Sequence, residues 1–96
     1  MDRFRRGDNL PVRFSNVQDD GSVPNCDTGY PQYQLLDPAG KEVTAFTAVG
    51  FTSSSTGNYY VNPTAPTTSP AGAFVVNILA VTSSVTKKSQ QSFIVD

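Results

Sequence analysis

Short segments rich in Val, Thr, Phe and Tyr alternate along this chain with turns of Gly, Pro, Ser and Asn. This pattern is typical of β-strands joined by turns. No window keeps an apolar face at helical spacing for three turns, so the sequence predicts an all-β fold. Six or seven short strands at this spacing indicate a sandwich or a small barrel. A chain of 96 residues has room for one such domain.

The first half of the chain predicts three strands, at about residues 9–17, 32–36 and 42–48. In the first of them Leu10, Val12 and Phe14 recur at period two, which is the spacing of one strand face. Pro11 would interrupt a central ladder, so this strand begins irregularly or lies at an edge. A long connection over residues 18–31 separates it from the second strand.

The second half predicts a polar turn over residues 53–57, a strand at "NYYVN", a strand over 73–81 and a last strand at "KKSQQSFIV". The 73–81 strand is apolar on both faces. One face carries Phe74, Val76, Ile78 and Ala80, and the other carries Val75, Leu79 and Val81. A strand of this kind is expected in the centre of a sheet and covered on both sides. In a two-layer sandwich the core covers one face, so we expect the other face to meet a neighbouring molecule or a loop.

The segment "NPTAPTTSPAG" is too polar and too rich in proline for a strand. Pro63, Pro66 and Pro70 hold it extended, and Gly72 lets the chain turn back into the next strand. The sequence therefore predicts a crossover from one sheet to the other.

Charge and composition exclude several classes of function. Seven Lys and Arg against eight Asp and Glu give a net charge of −1, which argues against a nucleic-acid partner. No apolar run approaches the roughly 18 residues that cross a bilayer, and no membrane partner is predicted. The N-terminus lacks the apolar segment of a secretory signal, so the sequence does not support export by that route. There is no His for general-base chemistry. The single cysteine, Cys26, lies beside Asp27 and is interpreted as an inert or half-buried thiol.

Several segments together resemble a known family. "RRGDNLPVRF", "YQLLDPAGKEV", "TGNYY", "SPAGAFVVNI" and the closing "QSFIV" are similar to segments of short immunoglobulin-like modules encoded among bacteriophage virion genes. The resemblance covers most of the chain. It implies a single immunoglobulin-like β-sandwich of about seven short antiparallel strands over residues 9–96, preceded by an N-terminal arm at residues 1–8.

The resemblance also implies a function. It is that of a non-enzymatic structural protein of the virion, either a decoration or cement protein on the head or a module of the connector or tail. The expected partners are capsid, connector or tail proteins of the same particle, and self-association is left open. No cofactor and no metal are expected.

The residues expected to bind a partner lie in three places. Arg3, Arg5 and Arg6 surround Phe4 in the arm, where they combine carboxylate-binding groups with an apolar anchor. The alternative for this arm is a solvated, disordered terminus. Tyr60 is expected to point outward, because adjacent Tyr59 and Tyr60 face opposite ways. The third place is the strand face that carries Val75, Leu79 and Val81.

The runner-up function is a glycan-binding or adhesion module. It predicts that two or more of the four tyrosines lie coplanar on one exposed surface; these are Tyr30, Tyr33, Tyr59 and Tyr60. Two further motifs have simple structural interpretations. Arg6-Gly7-Asp8 matches the integrin tripeptide but fits the bend before a strand. Asp19, Asp20 and Asp27 carry oxygen ligands for calcium, but their spacing matches no calcium loop, and a solvated turn is favoured.

Overall fold

A computed structural model describes residues 3–96 of the chain, which form eight strands and no helix. The strands are β1 (Arg3–Phe4), β2 (Val12–Ser15), β3 (Gln32–Leu36), β4 (Glu42–Thr47), β5 (Thr52–Ser55), β6 (Asn58–Val61), β7 (Gly72–Thr82) and β8 (Val85–Val95). The predicted all-β fold is confirmed. Residues 1 and 2 of the predicted arm lie outside the described residues.

The strands form two sheets. The larger has the order β1-β8-β7-β3-β4 and the smaller has the order β2-β6-β5. β1 pairs with β8 in parallel, and the other pairings are antiparallel. The proline-rich segment after β6 carries the chain from the smaller sheet to the larger, as predicted. Both sheets contribute to one buried cluster, an arrangement compatible with a β-sandwich.

β7 supplies the centre of the core. Four of its residues are at most 1% exposed: Phe74, Val76, Ile78 and Ala80. The residues that alternate with them in β7 are half-buried or exposed. The smaller sheet packs Val12 and Val61 into the same cluster. Full burial of each large apolar side chain stabilises the fold by about 1.5–3 kcal/mol. The predicted central position of this strand is confirmed, because β7 lies between β8 and β3.

Two strands differ from the sequence prediction. The segment 53–57 was expected to be a turn, but its first three residues belong to β5 and the turn is confined to residues 56–57. All four side chains of β5 are exposed, so no apolar periodicity marks this edge strand, and main-chain pairing with β6 holds it. The first predicted strand, 9–17, shortens to β2, which is an edge strand as Pro11 indicated.

Part of the predicted N-terminal arm, residues 1–8, also belongs to the larger sheet. Arg3 and Phe4 form the outermost strand of the larger sheet, in register with Ile94 and Val95. The main-chain N–H of Asp96 donates to the Phe4 carbonyl at 2.7 Å, and the Gly7 N–H donates to the Ala65 carbonyl at 2.7 Å. Described residues of the predicted arm therefore pack on their own domain.

Side chains of the long connection between β2 and β3 attach it to the rest of the fold. The buried Asn16 Nδ2 donates to the Pro24 carbonyl at 2.9 Å and to Thr82 Oγ1 at 2.8 Å. Asn25 Oδ1 accepts from the Gly57 N–H at 2.8 Å. Gly57 has φ +75°, and a Cβ there would overlap the Val23 carbonyl. This connection is an ordered part of the domain.

A carboxylate fixes the same connection to the hairpin between β7 and β8. Asp27 accepts hydrogen bonds from the main-chain N–H groups of Ser83 at 2.9 Å and Ser84 at 3.1 Å. Both serines have positive φ, 49° and 65°, as a two-residue turn of the favoured hairpin type requires. These two bonds hold the pKa of Asp27 below its ordinary value.

Candidate functional site

The outer face of the larger sheet is formed by the side chains that alternate with the core. Val75, Leu79 and Val81 lie on this face of β7 and are half-buried, so the predicted two-faced pattern of the strand is confirmed. The register places Leu36 of β3 opposite Val75. Ile94 of β8 lies opposite Ala73 at the same end of the sheet. The face therefore presents apolar side chains that remain partly accessible to solvent.

A row of hydrogen-bonded polar side chains crosses this face over four strands. Gln90 Nε2 donates to Asn77 Oδ1 at 3.0 Å, and Asn77 Nδ2 donates to Gln34 Oε1 at 3.0 Å. Gln34 Nε2 donates to a carboxylate oxygen of Glu42 at 2.7 Å. We call Gln90, Asn77, Gln34 and Glu42 the amide row.

The amide row retains capacity for further hydrogen bonds. Each side-chain amide has two N–H donors and an oxygen with two lone pairs. Within the row, Asn77 and Gln34 each donate one bond and accept one. Each therefore keeps one donor and one acceptor for a partner, and the bonds along the row hold these groups in fixed orientations. Such preorganisation lowers the entropy lost when a partner binds.

The predicted arm residues interact mainly within the domain. Arg3 donates from Nε and Nη2 to the two carboxylate oxygens of Asp96, at 3.1 and 2.6 Å. This pair lowers the pKa of Asp96. The Phe4 ring packs edge to face on Phe93 with centroids 5.8 Å apart. Arg5 is exposed, and its main-chain N–H donates to the Asp8 carboxylate at 2.9 Å.

Arg6, Gly7 and Asp8 form the bend that the sequence predicts at this tripeptide. Gly7 has φ +94°, in the left-handed region that favours glycine. Asp8 donates its N–H to the Arg5 carbonyl and accepts the Arg5 N–H in return. The Arg6 guanidinium reaches the Ser69 carbonyl at 3.5 Å.

Tyr60 lies on the outward face of the smaller sheet, as predicted. Its strand neighbour Arg13 is paired with it in β2, and the Arg13 guanidinium lies 5.3 Å from the ring centroid. This is the geometry of a cation–π contact. Arg13 also donates to Asn62 Oδ1 at 3.3 Å. Tyr60 is thus part of a polar face, separate from the apolar positions of β7.

Two of the other tyrosines point inward. Tyr33 is 7% exposed and meets Phe51 edge to face at 5.6 Å. Tyr59 also meets Phe51 edge to face, with ring centroids 6.5 Å apart, and the Tyr59 hydroxyl accepts the Cys26 N–H at 2.9 Å. The expectation that one of the adjacent pair packs inward and the other outward is confirmed. Tyr30 is half-buried in the long connection.

Cys26 and the acidic residues of the long connection have structural surroundings. Burial raises the pKa of the half-buried Cys26 thiol, which keeps it protonated at neutral pH. Asp20 accepts the N–H and hydroxyl of Ser22, and these bonds lower its pKa. Within residues 3–96, no three or more His, Cys, Asp or Glu side chains are placed to hold a metal ion.

Comparison with known proteins adds no relative: no protein family, curated protein or solved structure matches this chain. Among residues 3–96 there is no helix long and apolar enough to cross a membrane.

The sequence interpretation missed the amide row. Gln34 and Asn77 are each a polar residue between apolar neighbours in a strand, which is the available signal, whereas Gln90 lies in a polar run and gives none. Their alignment depends on the pairing of β3, β7 and β8.

Proposed function

We propose that this protein is a non-enzymatic structural protein of a bacteriophage virion. In this role an immunoglobulin-like sandwich binds capsid subunits, as decoration or cement, or binds connector or tail subunits, and reinforces the assembly. The segments quoted above supply the link to phage virions. The structure supplies a surface suited to the binding.

The strand order supports the immunoglobulin-like part of the proposal. In variable-type immunoglobulin domains strands C′, C, F and G share one sheet, and B, E and D belong to the other. Here β4, β3, β7 and β8 are neighbours in the larger sheet, and β2, β6 and β5 form the smaller one. When β2 to β8 are read in chain order as B, C, C′, D, E, F and G, the two arrangements agree.

The observation that carries the binding role is the outer face of the larger sheet. It combines half-buried apolar residues of β7 with the amide row, whose spare donors and acceptors are held in place. Apolar contact supplies binding energy, and oriented polar groups supply specificity. In a particle that carries many copies, weak individual contacts are sufficient because avidity strengthens them.

The glycan-binding alternative receives less support from the ring positions. Tyr33 and Tyr59 are both engaged with Phe51, which leaves Tyr30 and Tyr60 at the surface. The half-buried Tyr60 ring already has the Arg13 guanidinium over its face. A glycan array remains the direct measurement of this alternative.

The experiment that tests the proposal is cryo-electron microscopy of the particle produced by the genome that encodes this chain. We expect density for the domain on the head, neck or tail, with the outer face of the larger sheet against a neighbouring subunit. An intact particle that lacks the domain would refute the virion role.

A binding assay then tests the face itself. Purified protein is added to particles that lack it, and co-sedimentation is measured. Leu79→Arg places a charge on the outer face and should reduce binding by at least tenfold. The control is Val49→Arg, which changes a 79% exposed residue in the turn after β4 and should bind as the native protein does. Equal binding by the two variants would exclude the outer face of the larger sheet as the surface that binds the particle.

A further inference from the structure

A shallow cleft of about 310 Å³ opens on the outer face of the larger sheet, beside the amide row. Its sides are Phe46 of β4, Leu79 of β7 and Lys88 of β8, and the Asn77 amide also lines it. Leu79 and Lys88 are directly paired across the two strands and therefore share a face. The volume is at the lower end of the range for ligand sites, about 300–1,000 Å³, and suits a side chain better than a whole small molecule.

Phe46 distinguishes this cleft from the rest of the surface. Its side chain is 45% exposed, whereas Phe74 is fully buried and Phe4, Phe14, Phe51 and Phe93 pack against the core. An aromatic ring that remains open at the edge of an apolar cleft is the type of residue that anchors protein contacts.

Lys88 supplies the cleft with an unneutralised charge. No hydrogen bond or ion pair joins its ammonium group to another residue within the described part of the chain. The adjacent Lys87 differs, because its ammonium donates to the Val17 carbonyl at 2.8 Å. The Lys87 Nζ also lies 3.8 Å from Asp19 Oδ1. The carboxylate on the same face, Glu42, already accepts a bond from Gln34. The cleft therefore combines apolar walls with one available cation.

Two other clefts on the described surface have a different lining. The cleft beside the proline-rich crossover contains Asp37, whose carboxylate accepts the N–H groups of Ala39 and Lys41. The cleft at the hairpin end contains Lys87, which is bonded as described. The first of these clefts also contains Lys41, whose ammonium has no hydrogen bond or ion pair among the described residues, but no aromatic ring lines either cleft.

We infer that this cleft, lined by Phe46, Leu79 and Lys88, binds a segment of a neighbouring virion protein that presents a large apolar side chain next to a carboxylate. The apolar side chain packs on Phe46 and Leu79, and the carboxylate accepts hydrogen bonds from the Lys88 ammonium. The spare groups of Asn77 are placed to bond the main chain of the segment. This inference rests on the proposed function and names the chemistry of its partner.

Charge complementarity decides between this occupant and a purely apolar one. An apolar segment would lie beside the Lys88 ammonium and desolvate it without a counter-charge, which is unfavourable. A carboxylate at this position forms a charge-assisted hydrogen bond, stronger than a neutral one. Because the pair lies at an accessible surface, binding should weaken as salt is raised.

The first test is a titration of the isotopically labelled protein followed by amide NMR shifts. The probes are N-acetyl-leucyl-aspartyl amide, its asparaginyl counterpart, and N-acetyl-seryl-aspartyl amide. We expect saturable shifts clustered at Phe46, Leu79 and Lys88 with the first probe, and affinity at least fivefold lower with each of the others. Equal affinity for the aspartyl and asparaginyl probes, or shifts scattered over the surface, would overturn the inference.

Variants of the protein provide the matched controls. Lys88→Gln should remove the preference for the aspartyl probe, whereas Lys41→Gln, which removes the same charge in the turn after β3, should leave it unchanged. Phe46→Ser should weaken the leucyl probe at least fivefold, and Val49→Ser should have no effect. Both test positions are exposed in the domain, and superimposable spectra of the free proteins establish that folding is intact.

The particle assay separates this inference from the proposed function. If the native protein binds particles and Lys88→Gln binds equally well, the virion role stands and the cleft inference fails. If no particle binding is seen but the peptide preference persists, the proposed function fails and the chemistry of the cleft stands. A self-association that Phe46→Ser abolishes, measured by sedimentation velocity, would overturn the inference in favour of a second copy.

Discussion

Replacing Asn16 by Ala should remove a large part of the stability of this domain. The side chain is 1% exposed, donates to the Pro24 carbonyl and to Thr82 Oγ1, and accepts from Gln18 Nε2 at 3.0 Å. Each such bond contributes a net 0.5–1.5 kcal/mol, and groups left without a partner add to the loss. Because the partners are half-buried and water can reach some of them, we expect a loss of about 2–3 kcal/mol.

That loss is large relative to the whole. A domain of 96 residues has a free energy of unfolding of roughly 5–14 kcal/mol. Urea unfolding followed by far-ultraviolet circular dichroism measures the change, and Tm should fall by about 10–20 °C. The control is Asn62→Ala, at an exposed position, which should stay within about 0.5 kcal/mol of the native protein. A loss below about 1 kcal/mol for Asn16→Ala would refute its role as the anchor of the long connection.

Three further changes test other contacts in the same unfolding assay. Gly57→Ala should destabilise by at least about 3 kcal/mol, because a Cβ at φ +75° meets main chain directly; native-like stability would contradict that packing. Asp27→Asn should lower the denaturation midpoint at pH 7. The native carboxyl has a depressed pKa, so its stabilising effect is present above its unfolded pKa, about 3.9, and is lost as pH falls through the folded pKa. The difference between the two proteins should therefore shrink below about pH 4, and a constant difference would argue against the bonds to residues 83–84. Phe4→Ala should cost about 1–2 kcal/mol if β1 is part of the domain, and an unchanged midpoint would indicate that it is not.

The sequence predicts best those strands whose limits and faces are both marked by side chains. The predicted strand 32–36 coincides with β3, because Pro31 precedes it and Pro38 lies in the turn that follows, with alternating residues between. By contrast, β5 has four exposed polar side chains and is held by main-chain pairing, so no side-chain pattern could reveal it. β1 is likewise not predictable from side chains, because its two residues form a strand only through a parallel pairing with β8 at the other end of the chain.

The candidate site is predictable only in its apolar part. Val75, Leu79 and Val81 follow from the two-faced pattern of a single strand. The exposure of Phe46 and the availability of Lys88 do not, because both depend on what the neighbouring strands place beside them. Lys87 and Lys88 are adjacent and chemically identical, and the alternation of β8 sends Lys87 toward the connection that follows β2 and Lys88 to the outer face. A face assignment for either lysine requires the register.

The polar residue in the middle of β7 contributes to the register of this strand. A one-residue slip moves every side chain of a strand to the other face, and an alternating apolar pattern normally prevents this. β7 lacks that protection, because residues 73–81 are apolar on both faces except at Asn77. In the observed register Asn77 bonds to Gln34 on one side and Gln90 on the other. After a slip of one residue, Asn77 would point into the core, whereas Gln34 and Gln90 would remain on the outer face. The Asn77 amide would then be buried without these two partners, which is unfavourable. The amide row therefore adds to the hairpin turn at residues 83–84 in selecting which apolar face of β7 enters the core and which one remains outside for recognition.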